Sequence, residues 1–266
     1  MDNEDRKYNI FGTIIEQGVE LHQIIAAKDF GKGDRAVKAG DLGGWIEKEE
    51  NLSHEGDCWI YNSVIVCNEA KVCDGAIVCN SALVKGYARI CGNAVVKGHS
   101  KVFDRSVIKG CAVVKEHGQV CDHAVVKNCA EIKGYARIRG DAVVGGRSEV
   151  FDNAIVEDHA KLYDAVKVFG NAVIKDNSTI SNDGTVYGHT IVEEHAKISG
   201  HAKVENDAKV SGNAIIDENA ILNGNTRVYG NAVVTGMGYL HDRFIIHDVV
   251  AVERTLDEVM SAHDTY

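Results

Sequence analysis

The sequence predicts an all-β solenoid, a chain of very short strands that turns a corner every six residues and stacks on itself. Three observations carry that reading. From Ile60 to Val234 every residue whose number divides by six is Val, Ile or Leu, thirty positions without exception. Two residues before these positions stands Ala nineteen times, and otherwise mostly Ser, Thr or Gly. Two residues after each stands Gly, Asp, Asn or Glu. A strand has period two and a helix 3.6, so neither makes every sixth residue special.

Each hexad reads as a short strand followed by a tight corner. The small residue and the aliphatic point inward, and the residues between and after them point outward. Gly, Asp and Asn turn the chain, and Asn, Asp or His follows at a corner position. One hexad cannot bury its apolar face, whereas stacked turns of chain can.

Exposed strand edges at the two ends of such a stack need covering. The segment 7–30 reads as a hairpin turning at Gln17-Gly18, and 40–60 leads into the first coil. At the other end 243–252 looks strand-like, and Thr255 with Glu258 forms a capping box that opens a short helix over 255–263. The expected organisation is therefore an N-terminal cap (1–57), the repeats (58–236) and a C-terminal cap (237–266).

Hexads such as "VFGNAV" (168–173), "VSGNAI" (210–215) and "VYGNAV" (228–233) resemble the hexapeptide-repeat family. The resemblance implies a left-handed parallel β-helix of triangular section, with eighteen residues per coil and about ten coils, as a single domain. It covers about two-thirds of the chain. The lead-in "GDLGGWIEKEENLSHEGDCWI" (40–60) resembles uncharacterised hexapeptide-repeat proteins of bacteria and phages labelled as transferases. The family includes acyltransferases, carbonic anhydrases and proteins without known activity. Its members usually form trimers, so a homo-oligomer, a trimer first, is expected.

Charge is unevenly spread. The net charge is −10, but residues 1–57 hold 13 acidic and 7 basic side chains and 58–236 hold 20 of each. The repeats are basic up to residue 147 and acidic beyond it. A neutral stack argues against a DNA mimic and gives little support to nucleic-acid binding. The acidic start of the chain shows no signal peptide, and no apolar run reaches membrane-spanning length. A cytoplasmic location is expected, with the eight cysteines as reduced thiols.

With eighteen residues per coil, side chains eighteen apart share a column. Cys67, Cys73 and Cys79 then lie on three different sides and cannot converge, whereas Cys73 stacks with Cys91, and Cys111 with Cys129. The seven histidines of the repeats share the corner position, for which a conformational preference suffices. His123, Asp141 and His159 fall in one column and form a candidate metal or proton-relay trio. A second column runs Lys97, Lys115, Lys133, Phe151, Phe169, Tyr187, with Arg137 and Arg139 near it. Cations followed by stacked rings suit a small anionic, nucleotide-like ligand. Exposed aliphatic columns (Ile77/Val95/Val113, Val107/Val125/Val143, Ile155/Val173/Ile191) suit association of copies.

The hexads run without one inserted residue, so no loop builds a pocket wall. The sequence therefore favours a non-catalytic binding or scaffold protein, without a cofactor. It would sequester a host protein or a small anionic ligand, with a phage origin suggested by the lead-in. The alternative is an acyltransferase of the hexapeptide-repeat type acting at subunit interfaces.

Overall fold

A computed structural model describes residues 6–61, 63–241 and 243–248. The helix expected over 255–263 lies outside them. The chain divides into two compact units, Met1–Cys129 and Ala130–Tyr266. Both are parallel β-solenoids, consistent with the left-handed β-helix that the hexads call for.

In the first unit, β1 (Tyr8–Glu16) and β2 (Val19–Ala26) form the expected antiparallel hairpin. Gln17 (φ 52°) and Gly18 (φ 82°) both adopt the left-handed region that a two-residue hairpin turn demands. β2 pairs antiparallel with β3 (Leu42–Ile46), and β3 pairs parallel with Ile65–Val66. The hairpin therefore extends one wall of the solenoid. From Trp59 onward come two-residue rungs that pair at an offset of eighteen: Trp59 with Ile77, Ile77 with Val95, Val95 with Val113. The three walls take every third rung in turn.

The second unit repeats this plan from Glu131–Ile132 to Ile245–His247. Its register holds throughout, for example Ile155 with Val173 and Val173 with Ile191. In both units the aliphatic of each hexad is buried, from Ile60 to Val234, with relative exposures of 0 or 1%. Ala at the preceding inward position is likewise enclosed. Alternating small and large residues fill a narrow axis.

The corners explain the rest of the hexad. Among the described residues, the residue two after each buried aliphatic is left-handed, for example Gly98 (φ 74°), Asp104 (φ 57°) and Glu116 (φ 60°). A Cβ at Gly98 would lie 2.7 Å from the Glu116 nitrogen of the next coil, so this corner suits Gly. Asp has a second role. Its carboxylate accepts the backbone N–H eighteen residues on: Gly92 to Asp74 (2.8 Å), Gly170 to Asp152 (3.1 Å), Glu194 to Asp176 (3.0 Å). Each bond satisfies an amide at a point where the strand ladder is interrupted. Ser106, Ser178, Thr190 and Thr226 at the small position close their corners by donating to the carbonyl three residues back, as Thr190 does to Tyr187 (2.7 Å).

Among the described residues no helix is long and apolar enough to cross a membrane.

Candidate functional site

Three features compete as the functional site: an aromatic column, the corner histidines and the clefts of the N-terminal cap.

The column exists in the second unit. Phe151, Phe169 and Tyr187 stack nearly parallel, with ring centroids 4.8 and 4.7 Å apart. Lys133 sits over the first ring at 4.9 Å. Pairing of successive rungs imposes this alignment, because each ring follows a buried aliphatic at the same register position. Two of its cations, however, already have partners. Lys133 Nζ lies 2.9 Å from Glu149 and 3.3 Å from Glu131, and the Glu149 hydrogen bond holds its pKa above the ordinary lysine value. Arg139 Nε donates to Glu157 at 2.6 Å. Arg137 is exposed on the neighbouring wall. In the first unit Lys97 and Lys115 share a column, as the pairing of Val96 with Val114 dictates. An anion on Lys133 would therefore have to displace carboxylates.

The histidines are better organised than their sequence positions suggest. Three have Nδ1 close to a carboxylate one coil away: His201 to Asp183 (3.2 Å), His159 to Asp141 (3.5 Å) and His189 to Asp207 (3.6 Å). All three rings are exposed. A carboxylate beside Nδ1 favours the tautomer that leaves Nε2 unprotonated and able to take a proton. Of the trio named from sequence, Asp141 and His159 thus meet within the second unit, while His123 belongs to the first. His99 and His117 stack on each other at 5.4 Å. Cys67, Cys73 and Cys79 follow rungs of three different sheets, as expected. The aliphatic columns are in register within each unit: Ile77/Val95/Val113, Val107/Val125 and Ile155/Val173/Ile191.

The cap holds what sequence reading missed. Lys7 is 1% exposed, with Nζ 2.9 Å from the Cys58 carbonyl and 3.1 Å from Cys58 Sγ. Burial pushes the Cys58 thiol up, against the opposing influence of Lys7, so the thiol stays protonated. Tyr8, also buried, stacks on His54 at 4.2 Å and donates to the Leu52 carbonyl at 2.9 Å. His54 Nδ1 accepts the Lys7 backbone N–H at 3.2 Å, while its buried Nε2 has no hydrogen-bond partner. Burial lowers its pKa, keeping the ring neutral. Beside it lies a cleft of about 440 Å³, lined by Glu49, Glu55, Lys71, Cys73 and Arg89 among others. A second cleft, of about 370 Å³, separates the hairpin tip (Glu16, Gln17, Val19) from Ile65, Leu83 and Lys85. Nothing periodic marks these residues, since their partners lie 41 to 51 positions away.

No family model matches the chain. Among curated proteins it is 36% identical over 75 residues to the uncharacterized acetyltransferase YdcK of Escherichia coli (strain K12). The match covers 28% of this chain and spans 22% of that protein's length. The solenoid and the match together fit a hexapeptide-repeat, transferase-like family.

Proposed function

We propose that the protein is an acyltransferase of the hexapeptide-repeat type, with His201 as general base and Asp183 as its orienting partner. The observation that carries this reading is the 3.2 Å approach of His201 Nδ1 to Asp183, the closest of the three corner pairs. The similarity to an acetyltransferase supports the reaction class. In the proposed step Nε2 takes the proton of an acceptor amine or hydroxyl as that atom attacks the carbonyl of an acyl thioester. The carbon–sulfur bond breaks and the thiol leaves, protonated by the imidazolium. Asp183 holds the ring and stabilises its positive charge. Because the hexads carry no inserted wall, a second copy of the chain would close the site, in a homo-oligomer.

The test measures thiol release from acetyl-coenzyme A with a panel of small amine and hydroxyl acceptors. Replacing His201 by Asn should lower kcat by about 10²-fold or more, with Asp183→Asn intermediate. Unchanged turnover in both variants would remove these residues from the reaction, and no turnover with any acceptor would sink the enzyme reading.

A second reading, ligand binding without chemistry, is favoured by the parallel stack of Phe151, Phe169 and Tyr187. Such a platform suits a flat base, with Lys133, Arg137 and Arg139 of the same unit as cations for its anionic group. Titration with nucleoside phosphates should then show saturable binding that Phe169→Ala weakens. Binding unaltered by that change would refute it.

A further inference from the structure

The corner that follows Val72 brings two thiols, which neither the repeat nor acyl transfer requires, together with the carboxylate of a corner aspartate. Cys73 and Cys91 occupy equivalent positions one coil apart, because Val72 pairs with Ile90. Their backbones are held by ladder bonds, Cys73 N–H to the Ile90 carbonyl and Cys91 N–H to the Ile108 carbonyl, both 3.0 Å. Asp74 takes the left-handed corner (φ 59°) and turns its carboxylate toward the same coil, where Oδ2 accepts the Gly92 N–H at 2.8 Å. One ligand atom from each residue, two sulfurs and a carboxylate oxygen, lies within 4.8 Å of the others.

We infer that Cys73, Cys91 and Asp74 form a binding site for a thiophilic divalent cation such as zinc, with water in the fourth position. Two sulfurs on a tetrahedral zinc stand ~3.8 Å apart, from a Zn–S length of about 2.3 Å. Closing the cluster to that spacing needs side-chain rotation alone, since rung pairing already sets the backbone. The donor set selects the metal class: thiolates favour zinc-like ions over magnesium or calcium. The other cluster of this kind among the described residues, Asp104, Cys121 and Asp122, offers one sulfur and two carboxylates, a harder set. Cys111 and Cys129 also stand one coil apart but are exposed and belong to neither cluster. Both cysteines of the proposed site are half-buried, and Asp74 is exposed, so an ion and its water can enter from solvent.

The electrostatics work in two directions. Burial, then the charges of Asp74 and Cys91, push the Cys73 thiol up to about 11, with Arg89 opposing. The repulsion among the three ligands is what a bound divalent ion relieves, and binding releases protons. Affinity should therefore rise with pH.

The experiment uses the full chain, reduced and freed of metal, titrated with Cd²⁺ as a spectroscopic stand-in for zinc. A sulfur-to-metal charge-transfer band saturating at one equivalent is expected, with competition by Zn²⁺ and none by Mg²⁺. Cys73→Ser and Cys91→Ser should each weaken binding at least ~100-fold, beyond what loss of an outer-shell partner costs. Asp74→Asn keeps the corner conformation and the Gly92 bond, and should weaken it about 10-fold. Cys111→Ser should leave the band unchanged. A band that survives both Cys73→Ser and Cys91→Ser, or no band at all, overturns the site. So does recovery of Cys73 and Cys91 as a disulfide after alkylation of freshly reduced protein.

Discussion

The coils and the N-terminal cap solve the same problem, burial of apolar surface without orphaned polar groups, in opposite ways. In the coils each solution is local and repeated. A two-residue rung bonds to its neighbour eighteen positions away, a left-handed corner turns the chain, and a carboxylate often picks up the next amide. In the cap the solutions are individual. Lys7 reaches Cys58, Tyr8 reaches Leu52, and Asn51 spends its amide on Asn68 and Ala70 while its oxygen accepts from Glu47 and Lys48. Repetition yields a regular surface, and irregularity yields clefts and buried titratable groups. The clefts of about 440 and 370 Å³ accordingly sit at the cap, and the orderly histidine pairs sit on the coils.

The contrast is broken most forcefully in the core. Ile138→Ala should cost about 3–4 kcal/mol, because neighbouring rungs are pinned in register and cannot collapse into the cavity. Chemical denaturation followed by circular dichroism reads this directly. Next comes Lys7→Ala, which leaves the Cys58 carbonyl bare in the interior and should cost about 3 kcal/mol. Both tryptophans, Trp45 and Trp59, lie in or next to the cap. Their fluorescence should shift to lower urea while the circular dichroism transition moves less. A common shift of both signals would mean that cap and coils unfold as one.

A corner change is smaller. Asp152→Ala puts a Cβ-bearing residue without a capping carboxylate at φ 57° and should cost about 2 kcal/mol; Asp152→Asn should cost a few tenths. Equal costs for the two would show that the Gly170 amide does not need its acceptor. Serine at the small position splits by its partner. Ser106 donates to the Phe103 carbonyl at 2.7 Å, whereas the buried Ser148 hydroxyl has no partner. Ser148→Ala should therefore stabilise by about 1 kcal/mol and Ser106→Ala destabilise by about as much.

The smallest effects depend on pH. Burial alone raises the Glu193 carboxyl, but hydrogen bonds from Lys209 and Lys175 outweigh it and hold its pKa below the ordinary value. Its stabilisation is complete above the unfolded pKa and disappears as pH falls through the lower folded value. Glu193→Gln should cost under about 1 kcal/mol at neutral pH and nothing in acid. Burial raises the Glu205 pKa, so stability falls as pH rises from the unfolded value through the higher folded one, and the penalty is complete above it. Glu205→Gln should stabilise by about 0.5 kcal/mol at neutral pH, an advantage that fades on acidification. Melting temperatures across pH distinguish the two.

The coils were legible because each rule recurs thirty times and rests on local geometry. The hairpin turn was legible at Gln17-Gly18, where a strong turn pair interrupts alternating residues. The carboxylate bonds across coils were not, since Asp reads as a turn former before it reads as an acceptor. The pairing of Asp183 with His201 follows from the offset of eighteen, yet seven histidines in equivalent positions gave no reason to choose among them. Lys133 looked like an open cation because Glu149, which neutralises it, lies sixteen residues away, outside its own column. Beyond that hairpin, the side-chain contacts of the cap could not be placed: the burial of Lys7 depends on a contact 51 residues distant.

The offset of eighteen also acts as a reading frame for length. Within the second unit, removing or duplicating eighteen residues would leave each wall continuous, carrying every column to its proper successor. A change of six would rotate the downstream chain by one wall, separating ring from ring and histidine from aspartate. Evolution can thus lengthen or shorten such a chain in whole coils almost freely, while partial coils erase whatever its surface has learned to do.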